Sequence, residues 1–428
     1  MAVGGAIAAC GTVRDLRRAH PDLPERDLGE AILLPGLVDA HCHLEWSLME
    51  GLVRPGPFSR WLAAFLPLRA RMRPADHDVA AHCGVLRALR SGTTTLADSG
   101  PAGAGVAALS TLGLRGVVHL EAFGRQTGPA AAREARRTAE RVLEAEEDAG
   151  PLVRVGVSPH APYTVGPGLW RALAEEAGLA ARPWATHLAE SEEETRLIDE
   201  GDGPLADLFR ANGWEPARWP GPGSGSVARL AAAGALRRGM VAAHCVQLGR
   251  ADVSRLAAAG VAVAHCPESN ARLRCGRSPV EALRGAGVAV GLGSDSPASA
   301  GCYDVRAEAR SCAREATAAG VPPPAPAELV RLATLGGAEA LGLDGLVGSL
   351  EPGKRCDLVA VLPADGAGGS GESAADPCAA ALDPASRVVT VVVDGRELLR
   401  DGEPVDADAR EIEAAGAAAR ARLANLPR

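Results

Sequence analysis

His41 and His43 stand two residues apart in an apolar run at 37–45, LVDAHCHLE. Alternate side chains of a strand face the same way, so both imidazoles are expected on one face and Cys42 on the other. Two imidazoles that converge on one point can hold a divalent metal ion. Two half-buried histidines with ordinary hydrogen bonds would produce the same pattern, so this pair alone leaves both interpretations open.

Four more polar residues stand near the ends of similar apolar runs: His160, His187, His244 and Asp295. The strands of a parallel barrel all open onto the face where active sites lie, so such residues can meet there despite their separation in sequence. Five of the ten histidines occupy these positions or the first run, which chance placement explains poorly. Three His and one Asp form a reasonable ligand set for Zn²⁺ or Fe²⁺, with one position left for water.

The strands that would carry these residues are visible as eight β-rich runs separated by Ala/Leu/Arg-rich stretches. The runs lie at 37–45, 93–99, 114–123, 153–163, 183–191, 240–248, 261–270 and 288–297. Intervening stretches such as 131–148 and 251–260 have the spacing of amphipathic helices. Eight strand-then-helix units over about 300 residues predict an α/β fold, a closed (β/α)₈ TIM-type barrel. An open doubly wound sheet is the alternative, but no GxGxxG follows the first run.

The two ends of the chain have a different pattern. Residues 345–360 and 387–398 alternate like antiparallel strands with Gly-containing turns, and further short apolar pieces precede the first run. We therefore expect a small, β-sandwich-like domain composed of 1–36 and 345–405, beside a barrel at 37–344. A C-terminal helical segment at 406–428 should contain an outer helix at 410–426.

Two stretches of low complexity interrupt this organisation. PGPGSGS at 220–226 is expected to be a flexible insertion, and 363–380 a disordered loop.

Composition narrows the function class. The net charge is −8 with no Arg-rich stripe interleaved with aromatics, so nucleic acid is not an expected partner. No apolar run reaches the roughly 18 residues of a membrane span, and the N-terminal charges follow the apolar stretch, the reverse of a secretory signal. Ten cysteines without CxxC pairs fit a reducing cytosol, so a cytoplasmic location is expected. The expected partner is a small-molecule substrate, with a homodimer possible.

Six ordered motifs carry a resemblance to a known family. They are LPGLVDAHCHLE (34–45), SPHAPYTV (158–165), HLAES (187–191), AHC (243–245), CPESN (266–270) and GSDSPAS (293–299). This set resembles the amidohydrolase superfamily, in its cytosine-deaminase/chlorohydrolase-like branch of hydrolytic deaminases. GSLEPGKRCDLV at 348–359 resembles the strand of that branch that returns to the β-domain.

The resemblance implies a role for each matching residue. The implied metal ligands are His41, His43, His187 and Asp295. Glu190 would be the proton-shuttling catalytic residue, His244 would orient the water, and Asp295 would also accept the water proton. Glu190 could instead be an acid that merely opens the following helix, where negative charge is favourable.

Lysine content bears on the number of metal ions. Some members of the superfamily bridge two ions with a carbamylated lysine on a barrel strand, whereas the only lysine here, Lys354, falls in the expected β-domain. Such a bridge cannot form, so we expect one divalent ion, Zn²⁺ before Fe²⁺. Relatives also place about a full set of strands before the HxH, whereas 40 residues precede His41 here. A reduced β-domain or a start codon assigned too late is therefore expected.

A narrower likeness concerns the substrate. HCHLEWSLMEG (41–51), PFSRWL (57–62) and HLAESEEE (187–194) with GDGPL (201–205) resemble the aminodeoxyfutalosine deaminase group of menaquinone biosynthesis. Its members deaminate an adenine nucleoside that also carries a benzoate, so 6-amino-6-deoxyfutalosine is the first candidate substrate. S-adenosylhomocysteine, methylthioadenosine and adenosine are alternatives, as is amidine or halide displacement on another heteroaromatic ring. A non-catalytic metal- or ligand-binding barrel is the alternative of another class.

Three residues are candidates for substrate contacts. Trp46 falls in the loop after the first run and could stack on a purine or simply pack the loop. Arg125 follows the third run and could pair with a substrate carboxylate or stay solvated. His160 ends the fourth run, where a substrate contact and a satisfied buried histidine are both compatible with the pattern.

Overall fold

Eight parallel strands lie side by side in chain order in the computed structural model, which describes residues 1–220, 225–364 and 376–425. The strands are Leu37–Cys42, Thr93–Gly100, Arg115–Ala122, Val153–Pro159, Trp184–Leu188, Met240–His244, Ala262–His265 and Val290–Leu292. A parallel bridge between Cys42 and Asp295 joins the last strand to the first. The ring is therefore closed, which confirms the (β/α)₈ TIM-type barrel and excludes an open doubly wound sheet.

Burial explains why these segments are apolar throughout rather than alternating. Every residue of Leu37–Cys42, Thr93–Gly100 and Arg115–Ala122 is buried. One face of each strand fills the barrel and the other packs against helices, as is usual for parallel sheets.

The outer helices have a single buried face. The helix Gly128–Glu147 buries Ala131, Ala135, Thr138, Ala139 and Val142, which recur every three or four residues. The helices that surround the barrel are Phe58–Arg69, Pro74–Arg90, Gly105–Leu112, Gly128–Glu147, Pro167–Glu175, Glu192–Glu200, Pro204–Ala211, Gly225–Ala232, Arg250–Ala259, Pro267–Arg272, Val280–Gly285, Val305–Ala318, Pro326–Arg331 and Gly337–Ala340. Shorter turns of other helix types lie at Leu44–Met49, Ala177–Leu179 and Leu332–Gly336. None of the helices in the described part of the chain combines the length and apolar content that a membrane span needs.

Several strands end earlier than the sequence pattern predicts. The seventh stops at His265, and Pro267–Arg272 is a helix rather than the end of a strand. Pro267 occupies the first turn of that helix, where its missing N–H is not needed. The polar ends of the fifth, sixth and eighth runs likewise leave the sheet and form loops at the carboxyl end of the barrel.

Both ends of the chain contribute to a second, antiparallel sheet, as predicted. Its five strands, in spatial order, are Glu403–Pro404, Arg396–Arg400, Arg387–Val393, Leu358–Leu362 and Ile32–Pro35. A separate hairpin pairs Ala2–Val3 with Ala6–Ile7.

The details of this sheet differ from the predicted strands. Residues 345–357 form turns and irregular backbone rather than a strand, and the run at 387–398 is a hairpin that reverses at Asp394 and Gly395. The helix Val13–Ala19 was not anticipated either. The domain boundaries at 36, 345 and 405 stay predictions.

The two low-complexity stretches lie partly outside the described residues, which omit 221–224 and 365–375. The described ends of both stretches are ordered: Gly225–Ala232 and Pro377–Leu382 are helices. The expectation of a flexible insertion as far as 226 and a disordered loop as far as 380 is therefore wrong for those ends.

The C-terminal helix, Ala409–Asn425, confirms the helix predicted at 410–426 for its described part. Leu423 is buried against Leu48, Ala80 and Cys83 of the barrel's outer layer. Arg422 also pairs with Asp76. The helix therefore covers the outside of the barrel beside the helix Pro74–Arg90.

A buried ion pair joins the barrel to the small sheet. Arg115, at the start of the third barrel strand, donates two hydrogen bonds to Asp357, with N–O distances of 2.9 and 3.0 Å. Asp357 also accepts the backbone N–H of Asp394 at 2.7 Å. Arg115 also pairs with Asp394 at 3.3 Å, but Asp357 is its nearer and more deeply buried partner, and Arg115 is the one cation that pairs with Asp357 among the described residues.

Replacement of this arginine should destabilise the protein strongly. Arg115→Leu leaves the Asp357 carboxylate buried without its partner, so the free energy of unfolding should fall by about 3–5 kcal/mol. Arg396→Leu is the matched control, because Arg396 pairs with Asp406 in an exposed bridge, and its cost should stay below about 1 kcal/mol. Urea denaturation of both variants measures the difference, and equal losses would contradict the role of the buried pair.

Candidate active site

Five predicted site residues meet at the carboxyl end of the barrel. His41 lies in the first strand and His43 directly after it, while His187 lies in the fifth and His244 ends the sixth. The His41 ring centroid lies 4.7 Å from that of His43, 4.9 Å from that of His187 and 5.7 Å from that of His244. Asp295 completes the group, with Oδ1 3.5 Å from Nε2 of His43. The structure thus brings together all four predicted metal ligands and His244.

Hydrogen bonds select the tautomer of two of these histidines. Nδ1 of His43 lies 2.7 Å from the carbonyl oxygen of Ser99, and Nδ1 of His187 lies 2.9 Å from that of His160. A carbonyl only accepts, so both Nδ1 atoms carry protons and both Nε2 atoms present lone pairs. These two Nε2 atoms lie 3.0 Å apart. Two lone pairs in such proximity are the arrangement that a cation between them would stabilise.

The remaining donors fit the same interpretation. Nε2 of His41 is buried and has no hydrogen-bond partner among the described residues. Oδ2 of Asp295 accepts hydroxyl hydrogen bonds from Ser269 at 2.5 Å and Ser299 at 2.6 Å, which hold the carboxylate in place. Three imidazole nitrogens and one carboxylate oxygen suit a divalent ion such as zinc. The donor set therefore fits one divalent metal ion.

Burial keeps the imidazoles in the form that binds metals. It lowers the pKa of His187 to about 3, and the neighbouring His43 and His244 act in the same direction. Burial also lowers the pKa of His41 well below the ordinary value. These rings are therefore neutral at pH 7, with lone pairs free for ligation.

Glu190 stands beside this cluster as a buried acid. Its Oε1 lies 3.8 Å from Nε2 of His244. Burial raises the pKa of Glu190 well above the ordinary value, and the charges of Asp295 and Glu194 raise it further. Glu190 also precedes Ser191, the N-cap of the helix Glu192–Glu200, so it lies outside the first helical turn. Its position fits proton donation better than the opening of a helix.

Glu194 holds the backbone that carries Glu190, and sequence reasoning missed it. Its carboxylate accepts the N–H of Ala189 at 3.1 Å and of Glu190 at 2.8 Å, and it pairs with the Ser226 hydroxyl. Glu194 is the last of three consecutive acids at 192–194, and the sequence alone does not show which of the three points inward.

The backbone is strained where the site residues leave their strands. Ala189, His244, Cys245 and Asp295 have φ values of 52°, 71°, 48° and 54°, four of the seven positive values at non-glycine residues in the described chain. Left-handed backbone costs such residues roughly 1 kcal/mol each, and it persists where surrounding contacts enforce it. Asn270 supplies one such contact, since its Oδ1 lies 3.0 Å from Nδ1 of His244. This bond leaves Nε2 of His244 directed towards Glu190.

A cavity of about 430 Å³ opens above the cluster. Its walls contain all four phenylalanines of the chain, three of the six tryptophans and one of the two tyrosines. These residues are Trp46, Phe58, Trp61, Phe65, Phe123, Tyr163, Phe209 and Trp214. In a chain with only 3% aromatic residues, this concentration favours a site for a flat, aromatic ligand.

The three predicted substrate contacts all line this cavity. Trp46 is buried in the wall, with its ring edge-on to Phe65 at 5.4 Å. His160 stacks on Phe123 at 4.7 Å, and Arg125 is exposed at the rim. Their position is compatible with substrate binding, and that role stays a prediction.

Two charged residues of the cavity were missed by sequence reasoning. Glu121 lies near the end of the third strand with a buried carboxylate, and its Oε1 has no hydrogen-bond partner among the described residues. It lies with His43 and His187 in a group whose potential ligand atoms are all within 4.8 Å of one another. A polar residue at a strand end was the signal that identified His187, and the same signal would have identified Glu121. Arg69 lies on the helix Phe58–Arg69 and not at the end of a predicted strand, so the sequence pattern did not identify it.

Comparison with known proteins places this geometry in context. The chain is 35% identical over 367 residues to a 5-methylthioadenosine/S-adenosylhomocysteine deaminase of Syntrophobacter fumaroxidans, covering 84% of this chain and 78% of the relative. It is 33% identical over 292 residues to an aminodeoxyfutalosine deaminase of Deinococcus radiodurans, covering 64% of this chain and 65% of that relative.

A solved structure shows the same fold. An adenosine deaminase from Xanthomonas campestris with bound zinc superimposes with a TM-score of 0.79 at 27% identity, over 98% of this chain and 92% of that one. The sequence model of the amidohydrolase family matches residues 32–398, which include every residue of the cluster. The resemblance inferred from the six motifs is thereby confirmed, and the chain belongs to the amidohydrolase family.

Proposed function

We propose that this protein is a metal-dependent hydrolase that deaminates the adenine ring of a nucleoside. The observation that carries this proposal is the cluster itself: three histidines and an aspartate of metal-ligating types, with Glu190 and His244 beside them, at the base of an aromatic cavity. A purine ring matches the cavity walls, and its amino-bearing carbon would lie over the cluster. The deaminase relatives support the same reaction.

The residues of the cluster divide the chemistry between them. His41, His43, His187 and Asp295 would hold one divalent ion, for which we propose zinc, and such an ion lowers the pKa of a bound water towards 7. Oδ2 of Asp295 accepts hydrogen bonds from two hydroxyl groups. Its Oδ1 can therefore accept the proton that the attacking water loses. Nε2 of His244 can hydrogen-bond the oxygen that adds to the ring carbon.

Glu190 completes the proton balance. Its acid proton passes to the ring nitrogen as the oxygen adds to the adjacent carbon, and the resulting carboxylate accepts the proton of the new hydroxyl group. The proton on Asp295 passes to the amino group, the carbon–nitrogen bond breaks, and ammonia leaves. The product carries a carbonyl group where the substrate carried the amine.

Our first candidate substrate is 6-amino-6-deoxyfutalosine, which would yield futalosine and ammonia. The narrower sequence motifs, the Deinococcus relative and the exposed Arg125 at the rim support it. Methylthioadenosine or S-adenosylhomocysteine is the second candidate, because the Syntrophobacter relative aligns over more of the chain.

A substrate panel tests this choice. The kcat/KM for ammonia release should be highest with 6-amino-6-deoxyfutalosine. It should be at least about tenfold lower with methylthioadenosine, S-adenosylhomocysteine and adenosine. A preference for methylthioadenosine or S-adenosylhomocysteine would establish the second candidate. No ammonia from any adenine nucleoside would refute adenine deamination and favour a non-catalytic barrel or another ring substrate.

Metal content tests the ligand set. Purified active protein should contain about one divalent ion per chain by elemental analysis. His187→Ala removes a ligand, so metal and activity should be lost together, while His20→Ala at an exposed position should keep both. Two essential ions per chain, or a His187→Ala protein with full metal content, would contradict the proposed site.

Proton transfer is tested separately from ligation. Glu190→Gln should keep the metal and bind substrate almost normally, but turnover should fall at least about 10²-fold because the acid proton is gone. His244→Ala should behave in the same way, while Glu192→Gln, at an exposed acid of the following helix, should be active. Single-turnover kinetics and metal analysis distinguish these outcomes. Near-normal turnover in Glu190→Gln, or a metal-free His244→Ala protein, would overturn the assignment.

A further inference from the structure

Arg69 is held in a fixed place in the wall of the catalytic cavity. It is the last residue of the helix Phe58–Arg69 and is half-buried. Its guanidinium carbon lies 5.5 Å from the ring centroid of Trp46 and 5.6 Å from that of Phe123. Contact with two aromatic rings orients the planar group without using its N–H donors.

Those donors have no protein acceptor. Among the described residues, the Arg69 side chain forms no hydrogen bond and no ion pair. Burial raises the pKa of Glu121, and the nearby charges of His43 and Arg69 oppose that rise, yet Arg69 and Glu121 do not form an ion pair. A half-buried guanidinium with free donors in a cavity wall is suited to an anion that arrives with the ligand.

The distribution of charge indicates where that anion would lie. The floor carries Glu190, Asp295 and the histidines, which suit the neutral, amino-bearing ring. The only arginines that line the cavity are Arg69 and Arg125, within the described residues. Arg69 also borders an adjoining cavity of about 560 Å³ and so stands where a long substituent would leave the catalytic cavity.

We propose that Arg69 binds a carboxylate on the 5′ side of the nucleoside and thereby determines substrate specificity. The inference rests on the proposed function, because it assumes that the adenine amino group lies at the floor and the 5′ substituent extends towards the wall. A guanidinium presents paired N–H groups that match the two oxygens of a carboxylate. Arg125 is exposed at the rim, so solvent screens its charge and it should contribute less.

The test compares 6-amino-6-deoxyfutalosine with its methyl ester, in which a methyl group replaces the negative charge of the carboxylate. In Arg69→Gln, kcat/KM for the carboxylate should fall between tenfold and a hundredfold, chiefly through KM. The value for the ester, and for 5′-deoxyadenosine, should change less than about threefold. Arg69→Lys should restore part of the loss, since it keeps the charge but not the paired donors.

Two variants serve as controls. Arg60→Gln changes an exposed arginine of the same helix that does not line the cavity, so neither substrate should be affected. Arg125→Gln should cause a smaller selective loss than Arg69→Gln. Circular dichroism and metal content should match those of the wild type in every variant.

The outcomes separate this inference from the proposed function. Equal losses on carboxylate and ester would show that Arg69 supports the wall or Glu121 rather than the substrate, and would overturn the inference while deamination stands. A selective loss in Arg125→Gln with none in Arg69→Gln would also overturn it. If the wild type releases no ammonia from any of the three nucleosides, the proposed function fails and the inference fails with it.

Discussion

Closure of the barrel is the constraint on which the rest of the structure depends. The backbone N–H of Asp295 donates to the carbonyl of His41 at 3.0 Å, and the N–H of His43 donates to the carbonyl of Asp295 at 2.8 Å. The bonds that join the eighth strand region to the first thus pass directly between proposed metal ligands. Asp39 reinforces the seam, because its carboxylate accepts the N–H of Ser294 at 3.0 Å. The hydrogen bonds that close the barrel therefore also set the relative positions of the proposed metal ligands.

Most members of the polar cluster have a hydrogen-bond partner that compensates for burial, whereas Nε2 of His41 has none among the described residues. Backbone carbonyls orient His43 and His187, an amide oxygen orients His244, and two hydroxyl groups hold Asp295. An unpaired polar group in such an interior would cost roughly 1–3 kcal/mol. These contacts also maintain the left-handed backbone of His244 and Asp295, whose strain aims their side chains at one point.

The proposed specificity residue and the proposed proton-transfer residues come from different parts of the fold. The barrel strands and the loops at their ends carry Glu190, His244 and Asp295, whereas Arg69 comes from the helix Phe58–Arg69 in the long connection after the first strand. Such connections can change without disturbing the strands. A connection of this kind is a place where substrate preference can differ between related enzymes, and the relatives of this chain carry different substrate names.

The barrel and most residues of the candidate site could be predicted from the sequence alone, because both depend on patterns that are visible along the chain. Parallel strands buried on both faces produce continuous apolar runs, and HxH on a strand places His41 and His43 on one face. Only the tertiary structure decided where the strands end, since Pro267 starts a helix inside a predicted strand. It alone showed that the Glu121 carboxylate is buried with an unpartnered oxygen and that Arg69 lies unpaired between two rings. Those properties depend on which neighbours surround a side chain in space, and no spacing along the chain records them.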